Sequence, residues 1–450
     1  MDAQAIVIGA GYAGLSAAET LRRQGKDVLV LEARGRVGGR TRTDHLDNGL
    51  WLDLGGQWLG PGQDHLYALA QRFEKRVWAM HTAGHNLVHL KGRNRRYRGL
   101  IPFRLPPLAL LNLGWGFWRL ESLAKRVPLD NPGHAVRAKH LDQQTLGDWL
   151  RRNLRHPQAR ALMQVAIESV FAAHPDDISL LHALFYLRSG GGLERLTSAR
   201  GGAQQDRIDG GMQGLAESWR QSLEAEDVSF AMESPVHAIE QDRLGTTIHT
   251  SAGKLTADRV ICTLPPALTL DVDFRPGMPE ARRVWCRGLK PGQVIKCFAI
   301  YPRPFWRDQG LSGSAAGDRP PVHACFDATP PDSPKGILMG FIEAREAVHW
   351  AEQSQASRRQ VVLGAFERYF GEQALAPEHY VDHVWATETW SRGCYAGVAA
   401  PGVISETGTS ARIPHHRIHW AGTETATHWN GYIEGAIRSG IRAAEETDNT

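Results

Sequence analysis

The chain has 450 residues, enough for two or three domains' worth of hydrophobic core. Its 52 Lys and Arg against 48 Asp and Glu leave a net charge of only +4, with 42% hydrophobic residues. That balance excludes the broad basic footprint of a nucleic-acid-binding protein and places the chain among ordinary soluble globular proteins.

In chain order, the first forty residues carry the sharpest pattern. Ala5 to Ile8 is a short apolar, β-branched run that predicts a buried parallel strand. Gly9, Gly11 and Gly14 follow at the spacing G-x-G-x-x-G. They allow a tight turn, close approach of a pyrophosphate, and close helix–strand packing respectively. The next helix carries Leu15, Ala18 and Leu21 on one face, stops at Gly25, and turns its free N–H groups to the phosphates. A second buried strand, Val28 to Leu31, delivers Glu32 where a carboxylate grips ribose hydroxyls and repels a 2′-phosphate. The ligand is therefore FAD or NAD. Arg36-Val37-Gly38-Gly39-Arg40, a glycine doublet followed by a cation, offers the diphosphate a second contact and favours FAD.

Leu50 to Trp58 reads as an alternating strand that breaks at Gly55-Gly56, where backbone could approach the planar end of the cofactor. The run Lys91 to Arg98 reads as a solvated hairpin or loop. Residues 100 to 190 predict a helical insertion: Leu146, Leu150 and Leu154 at helical spacing, then Ala161–Phe171 and Leu180–Leu187. Pro175-Asp176-Asp177 is its helix-start signal. Strands return at Pro235–Glu240, Thr246–Thr250 and Arg259–Cys262, then at Gln293–Tyr301 and Gly336–Ile342. Arg417–Ala421 is the last strand and leads to a helix from about Gly431. The expected organisation is an α/β cofactor domain from 1–78, 209–285 and 388–450, interrupted by a substrate domain from 79–208 and 286–387.

Five scattered cysteines without C-x-x-C spacing argue against a disulfide framework or metal site and fit a reducing, cytoplasmic compartment. The apolar stretch Leu105–Trp118 is too short and too broken to span a bilayer, and the N-terminus lacks a signal-peptide pattern.

Two C-terminal stretches then carry a resemblance. Ser391-Arg392-Gly393-Cys394-Tyr395 and the run from Trp420 through Gly422-Thr423-Glu424 to Tyr432-Ile433-Glu434-Gly435-Ala436 are similar to the flavin-dependent amine oxidases, most of all the monoamine oxidase branch. The resemblance extends over essentially the whole chain. It implies FAD, a Rossmann-like FAD domain with a discontinuous substrate domain in the p-hydroxybenzoate-hydroxylase manner, and oxidation of an amine to an imine by dioxygen. Mammalian members continue into a membrane-anchoring helix and this chain does not, so a soluble bacterial-type member is expected. A homodimer is compatible with it.

By strand alternation Lys296 shares a face with Val294, Phe298 and Ile300, where a lone ammonium is costly unless satisfied. An edge strand with a snorkelling lysine is the alternative. The resemblance makes Lys296 the holder of a water beside flavin nitrogen-5, and makes Tyr395 and Tyr432 the aromatic pair that sandwiches the amine. It also implies Ile433 as a backbone donor to the flavin, Glu424 as an anchor for ribityl or diphosphate groups, and Val236 as the reader of the adenine. Arg34, Gly39, Arg40, Gly56, Gln57, Trp58, Trp385 and Gly422 fall among the cofactor-contacting positions. Cys394 is expected to carry FAD through a thioether, with Arg392 as a cation that could favour the thiolate.

The substrate-facing positions implied are Ser169, Val170, Thr197, Gln204 and Ala324. They lack the acid a diamine needs and the arginine an amino acid needs, so a primary arylalkyl or alkyl monoamine is expected. Two alternatives stay open. One is a flavin dehydrogenase or L-amino-acid/polyamine oxidase on the same fold; the other is a flavoprotein that binds amines without turnover.

Overall fold

Two large sheets organise the computed structural model, which describes residues 1–47, 49–99 and 105–448. In the first sheet, β1 (Ala3–Ile8) lies between β2 (Val28–Leu31) and β3 (Gly253–Cys262), parallel to both, with Ala5 opposite Val28 and Arg259. This central position explains the uninterrupted apolar runs, because both faces of the sheet are covered. β3 is long enough to take two partners along its other edge. Thr246–Thr250 pairs antiparallel with its first half and Ile418–Trp420 parallel with its last residues. The helix α1 (Tyr12–Arg23) joins β1 to β2 and stops as expected at Gly25, which has φ +79. A Cβ on Gly14 would stand 1.8 Å from the Gly9 carbonyl oxygen, so only glycine permits this helix–strand contact.

The predicted insertion is helical, with Pro107–Ala124, Leu146–Asn153, α2 (Pro157–Phe171) and α3 (Leu180–Ser189). Residues 100–104 of the predicted stretch lie outside the described residues. One start signal is corrected. Pro175–Asp177 forms only a 3-10 turn and Ile178 is extended; α3 begins later, where the Ser179 hydroxyl accepts from His182 N–H. The basic run is a hairpin, His85–Leu90 antiparallel to Arg93–Tyr97. No helix among the described residues is long and apolar enough to cross a membrane.

The second sheet contains β4 (Val294–Tyr301) and β5 (Gly336–Glu343). β4 runs antiparallel between β5 and His379–Val384, and every residue of β4 and β5 is buried. The snorkelling alternative for Lys296 therefore fails, since β4 is an interior strand. Alternation holds: Val294, Phe298 and Ile300 pack with Leu52, Leu54 and Phe341, while Ile295, Cys297 and Ala299 face a separate cluster.

The last helix, α4 (Ile433–Glu446), closes on α1. Ser16 Oγ donates to the Ile437 carbonyl at 2.7 Å, and a Cβ on Gly440 would stand 2.2 Å from the Ala13 carbonyl oxygen. Gly440→Ala should therefore overpack this contact and lower stability by about 1–3 kcal/mol in denaturant unfolding. Gly364, inside the helix Gln355–Phe370, faces open space. Gly364→Ala should stabilise by roughly 0.5–1 kcal/mol. Equal effects of the two substitutions would contradict the close α1–α4 packing.

Candidate active site

The ends of β1 and β2 open onto a cavity lined from this side by Gly9, Gly11, Glu32, Arg34, Gly39 and Arg40. Gly9 has φ +101, and a Cβ there would strike the Thr263 hydroxyl. The Glu32 carboxylate is fixed by backbone N–H donors, Ala10 at 2.7 Å and Arg34 at 2.9 Å. The Arg34 guanidinium donates to Ser391 Oγ at 2.8 Å and Glu388 at 3.2 Å. Arg40 makes a two-pronged bond to Glu424, at 2.6 and 3.0 Å, and also donates to the Tyr395 carbonyl at 2.8 Å. Burial alone would raise the Glu424 carboxyl, but Arg40 outweighs it and holds the pKa below its ordinary value.

Lys296 reaches the same cavity from β4. It is 3% exposed, and its Nζ donates to the Asp53 carbonyl, to the Gly55 carbonyl at 2.8 Å and to Gln57 Oε1 at 2.6 Å. Burial pulls its pKa down to about 7. The three acceptors act the other way, since they use all three N–H bonds of an ammonium. Asp53 is itself pinned: its carboxylate accepts from Arg207 at 3.0 Å, Thr43 Oγ1 at 2.7 Å and Met212 N–H at 3.0 Å.

Tyr395 and Tyr432 both line the cavity, with Phe341 edge-on to Tyr395 at 6.4 Å between ring centroids. Tyr432 precedes the first turn of α4, which no side chain caps; α1 likewise lacks a side-chain cap. Two sets of free N–H groups thus occur where Gly11 and Ile433 line the cavity. Cys394 lines it too, and burial pushes its thiol up to about 12 despite the opposing pull of Arg40 and Lys296. The expected help from Arg392 is corrected, because that guanidinium pairs with Asp271.

Most of the residues expected from the sequence meet here. Gly56, Gln57, Trp58, Val236, Gly422, Ser169, Val170 and Gln204 also line the cavity. Five do not. Gly14 serves helix packing, and Trp385 donates from behind to the Leu54 carbonyl at 2.8 Å. Glu424 is directed to Arg40 and to Gly397 N–H, so its role as a direct cofactor anchor is replaced by support of Arg40. Thr197 Oγ1 bonds back to the Leu193 carbonyl, and its neighbour Leu196 lines the cavity instead. Ala324 stands opposite Phe341 across the sheet.

Sequence reasoning missed Tyr186, which packs 6.0 Å from Tyr432, and it missed Glu343. This carboxyl lies behind two pocket residues, accepting from Tyr395 Oη at 3.1 Å and Ser169 Oγ at 3.2 Å. Its position two residues beyond Phe341 on one strand face was the available signal.

The residues present fit a dinucleotide. Gln57 Nε2, Trp58 Nε1 and Gln204 Oε1 are buried at the cavity without a partner among the described residues, ready for a ligand's polar atoms. The glycine cradle, the fixed carboxylate and the uncapped helix ends suit a diphosphate and an electron-accepting ring. Among the described residues, no cluster of His, Cys, Asp and Glu could hold a metal ion.

A family model described as flavin containing amine oxidoreductase matches residues 12–447. The Mycobacterium tuberculosis protein AofH, assigned as a flavin-containing monoamine oxidase, is 40% identical over 98% of this chain and 95% of its own. Amine oxidase (flavin-containing) B of Homo sapiens is 33% identical over 98% of this chain and 85% of its own. Among solved structures, putrescine oxidase bound to putrescine matches with TM-score 0.95 at 28% identity, covering 100% of both chains. Cyclohexylamine oxidase from Brevibacterium oxydans matches with TM-score 0.95 at 29% identity, covering 100% of this chain and 99% of its own.

The Lys296 contacts generate a stability prediction. Lys296→Met leaves three buried acceptors without a donor and should cost about 2–4 kcal/mol at pH 8. Because the folded pKa is depressed to about 7, wild-type stability should grow between pH 7 and the unfolded lysine's value of 10.5. The gap to the Met variant should therefore widen from pH 7 to 9 in thermal melts. A constant gap would mean the amine stays charged throughout.

Proposed function

The chain belongs to the flavin containing amine oxidoreductase family and is a flavin-dependent amine oxidase of the monoamine oxidase type; on that footing we propose that its substrate is a primary arylalkyl or alkyl monoamine. Family membership implies FAD. The observation that carries the substrate reading is the wall shared by Tyr395, Tyr432 and Phe341, with the small or apolar Val170, Leu196 and Ala203 in the same lining.

When bound, FAD supplies the chemistry, taking the hydrogen and electrons of the amine's α-carbon and passing electrons on to dioxygen, which leaves as hydrogen peroxide. The chain's residues do the rest in this reading. Gly9, Gly11 and the α1 N-terminus receive the diphosphate, Glu32 the ribose, and Val236 the adenine. The first turn of α4 presents N–H groups where negative charge accumulates, an oxyanion-type stabilisation. Tyr395 and Tyr432 orient the amine nitrogen between π-faces, an interaction of about 1–2 kcal/mol when desolvated. Lys296, which lines the cavity from β4, holds a water beside the flavin ring in the same reading. The two sheets correspond, in the same reading, to an FAD domain (1–78, 209–285, 388–450) and a substrate domain (79–208, 286–387) arranged as in p-hydroxybenzoate hydroxylase.

A diamine is the second reading, prompted by the likeness to putrescine oxidase and by Glu343. It is the weaker one, since both Glu343 oxygens already engage Tyr395 and Ser169 and the carboxyl does not line the cavity. An amine panel with benzylamine, phenylethylamine, alkylamines and putrescine decides between them. Monoamines should reduce the flavin anaerobically and release peroxide in air. Preference for putrescine would replace the first reading with the second, and no reduction by any amine would remove both. In the same assay Lys296→Met should slow flavin reoxidation far more than reduction; equal small effects would leave Lys296 a structural residue.

Covalent attachment through Cys394 belongs to this proposal, supported by a thiol that lines the cavity beside Arg40 and Lys296. Acid denaturation should leave yellow colour and one FAD mass on the chain, and Cys394→Ala should release both. Free FAD from the unmutated protein would end the covalent reading alone.

A further inference from the structure

Glu343 joins three elements that meet at the amine-facing wall. It is the last residue of β5, where Val294 pairs with it across the sheet, and it is 2% exposed. One carboxyl oxygen accepts from the Tyr395 hydroxyl at 3.1 Å and the other engages the Ser169 hydroxyl of α2 at 3.2 Å. Tyr395 is otherwise held by the edge of Phe341, two residues earlier on the same strand, and through its carbonyl by Arg40. Among the described residues the hydroxyl end of the ring therefore has one polar tether, and that tether is Glu343.

We infer that Glu343 is a positioning residue for amine oxidation, which fixes the Tyr395 ring against the pocket and ties it to the Ser169 wall. The inference rests on the amine oxidase reading and deepens it. Nothing in the geometry asks Glu343 to touch the amine; it acts through Tyr395. A ring free to tilt about its own axis would lose its orientation toward the amine nitrogen, and misplacement of a positioning contact is felt in the rate.

The carboxyl is also a proton site. The ionisable groups facing it are Tyr395 and, from α2, Glu168; from β4 the opposing residue is the apolar Val294. Burial, with Glu168 adding repulsion, pushes its pKa up to about 8 against the pull of the Tyr395 and Ser169 hydrogen bonds. Around neutral pH the group is a neutral acid that serves both hydroxyls without placing a charge behind the ring.

Two variants separate positioning from plain packing. Glu343→Gln can accept from Tyr395 and donate to Ser169, keeping both tethers while losing the proton. Glu343→Leu keeps bulk and loses both. Stopped-flow reduction by benzylamine at pH 7 should be within about threefold of wild type for Gln, and slower by about tenfold with raised KM for Leu, the scale of one lost hydrogen bond. From pH 6 to 9.5 the wild-type profile should carry an ionisation near 8 that Glu343→Gln lacks, the amine's own ionisation being common to both.

A second readout needs no turnover. The folded pKa lies above the unfolded value, so the wild type should lose stability relative to Glu343→Gln as pH rises from about 5 to 8, with melting temperatures diverging over that range. The inference is overturned if Gln is as impaired as Leu, or if Leu reduces the flavin at wild-type rate and KM. If the unmutated protein is reduced by no amine, the substrate reading fails instead. The melting curves then still speak to Glu343, and parallel curves overturn its neutral tether.

Discussion

The site depends on one ion pair, between the part-buried Arg40 and the buried Glu424. Arg40 comes from the loop after β2 and Glu424 from the loop before α4, and their bidentate bond closes the first and last parts of the chain around one cavity. The pair is not isolated. Glu424 also accepts from Gly397 N–H and Arg40 also donates to the Tyr395 carbonyl, so the loop bearing Cys394 and Tyr395 is held at two points close after Cys394. Burying two charges is costly, and such a pair persists where the remaining lone pairs and N–H groups are satisfied. Loss of Arg40 would leave the buried Glu424 carboxylate uncompensated, a penalty on the order of 3–5 kcal/mol. Shape and charge are thus set by the same contact.

A second node stands across the cavity. Asp53 presents its carboxylate to Arg207, Thr43 and Met212, and its carbonyl to Lys296. The strand–turn segment at 51–57 is therefore gripped by a cation on each side, one from the Asp206–Ile208 strand and one from β4. This is why an ammonium sits inside a strand with no exposed residue: the turn's backbone needs donors that a sheet edge cannot give it. Lys296 lines the cavity and braces this turn at once, so its substitution reports on both.

The glycine fingerprint, the acid at position 32 and the apolar runs of β1 and β4 were legible because each follows from local chemistry or a two-residue period. So was the interior placement of Lys296's neighbours, by alternation alone. Contacts between distant segments were less legible. Glu424 reads as a ligand-facing acid in its own motif, but only the folded chain brings Arg40 against it. Glu343 ends an apolar strand and signals nothing unless the loop carrying Tyr395 is known to cross it. Thr197 misses the cavity by a register step that no local pattern determines, Leu196 lining it instead, while Ala324 stands on the neighbouring strand opposite the lining residue Phe341. The start of α3 slipped for another reason, since Pro-Asp-Asp satisfies a turn as well as a helix.

The place of β1 in its sheet bears on how the protein is made. β1 is synthesised well before its partners: one of its two neighbours ends at Cys262, and the strand beyond that is Ile418–Trp420. The helix that packs along α1 begins only at Ile433. The β1–α1 unit is therefore begun long before it is completed, a topology of high contact order in which early segments must wait for much later ones. During that interval α1 and β1 expose apolar faces that the finished protein hides, a state that favours misassociation. Completion of the cavity is on these grounds a late event, coincident with docking of α4 rather than with emergence of the glycine motif.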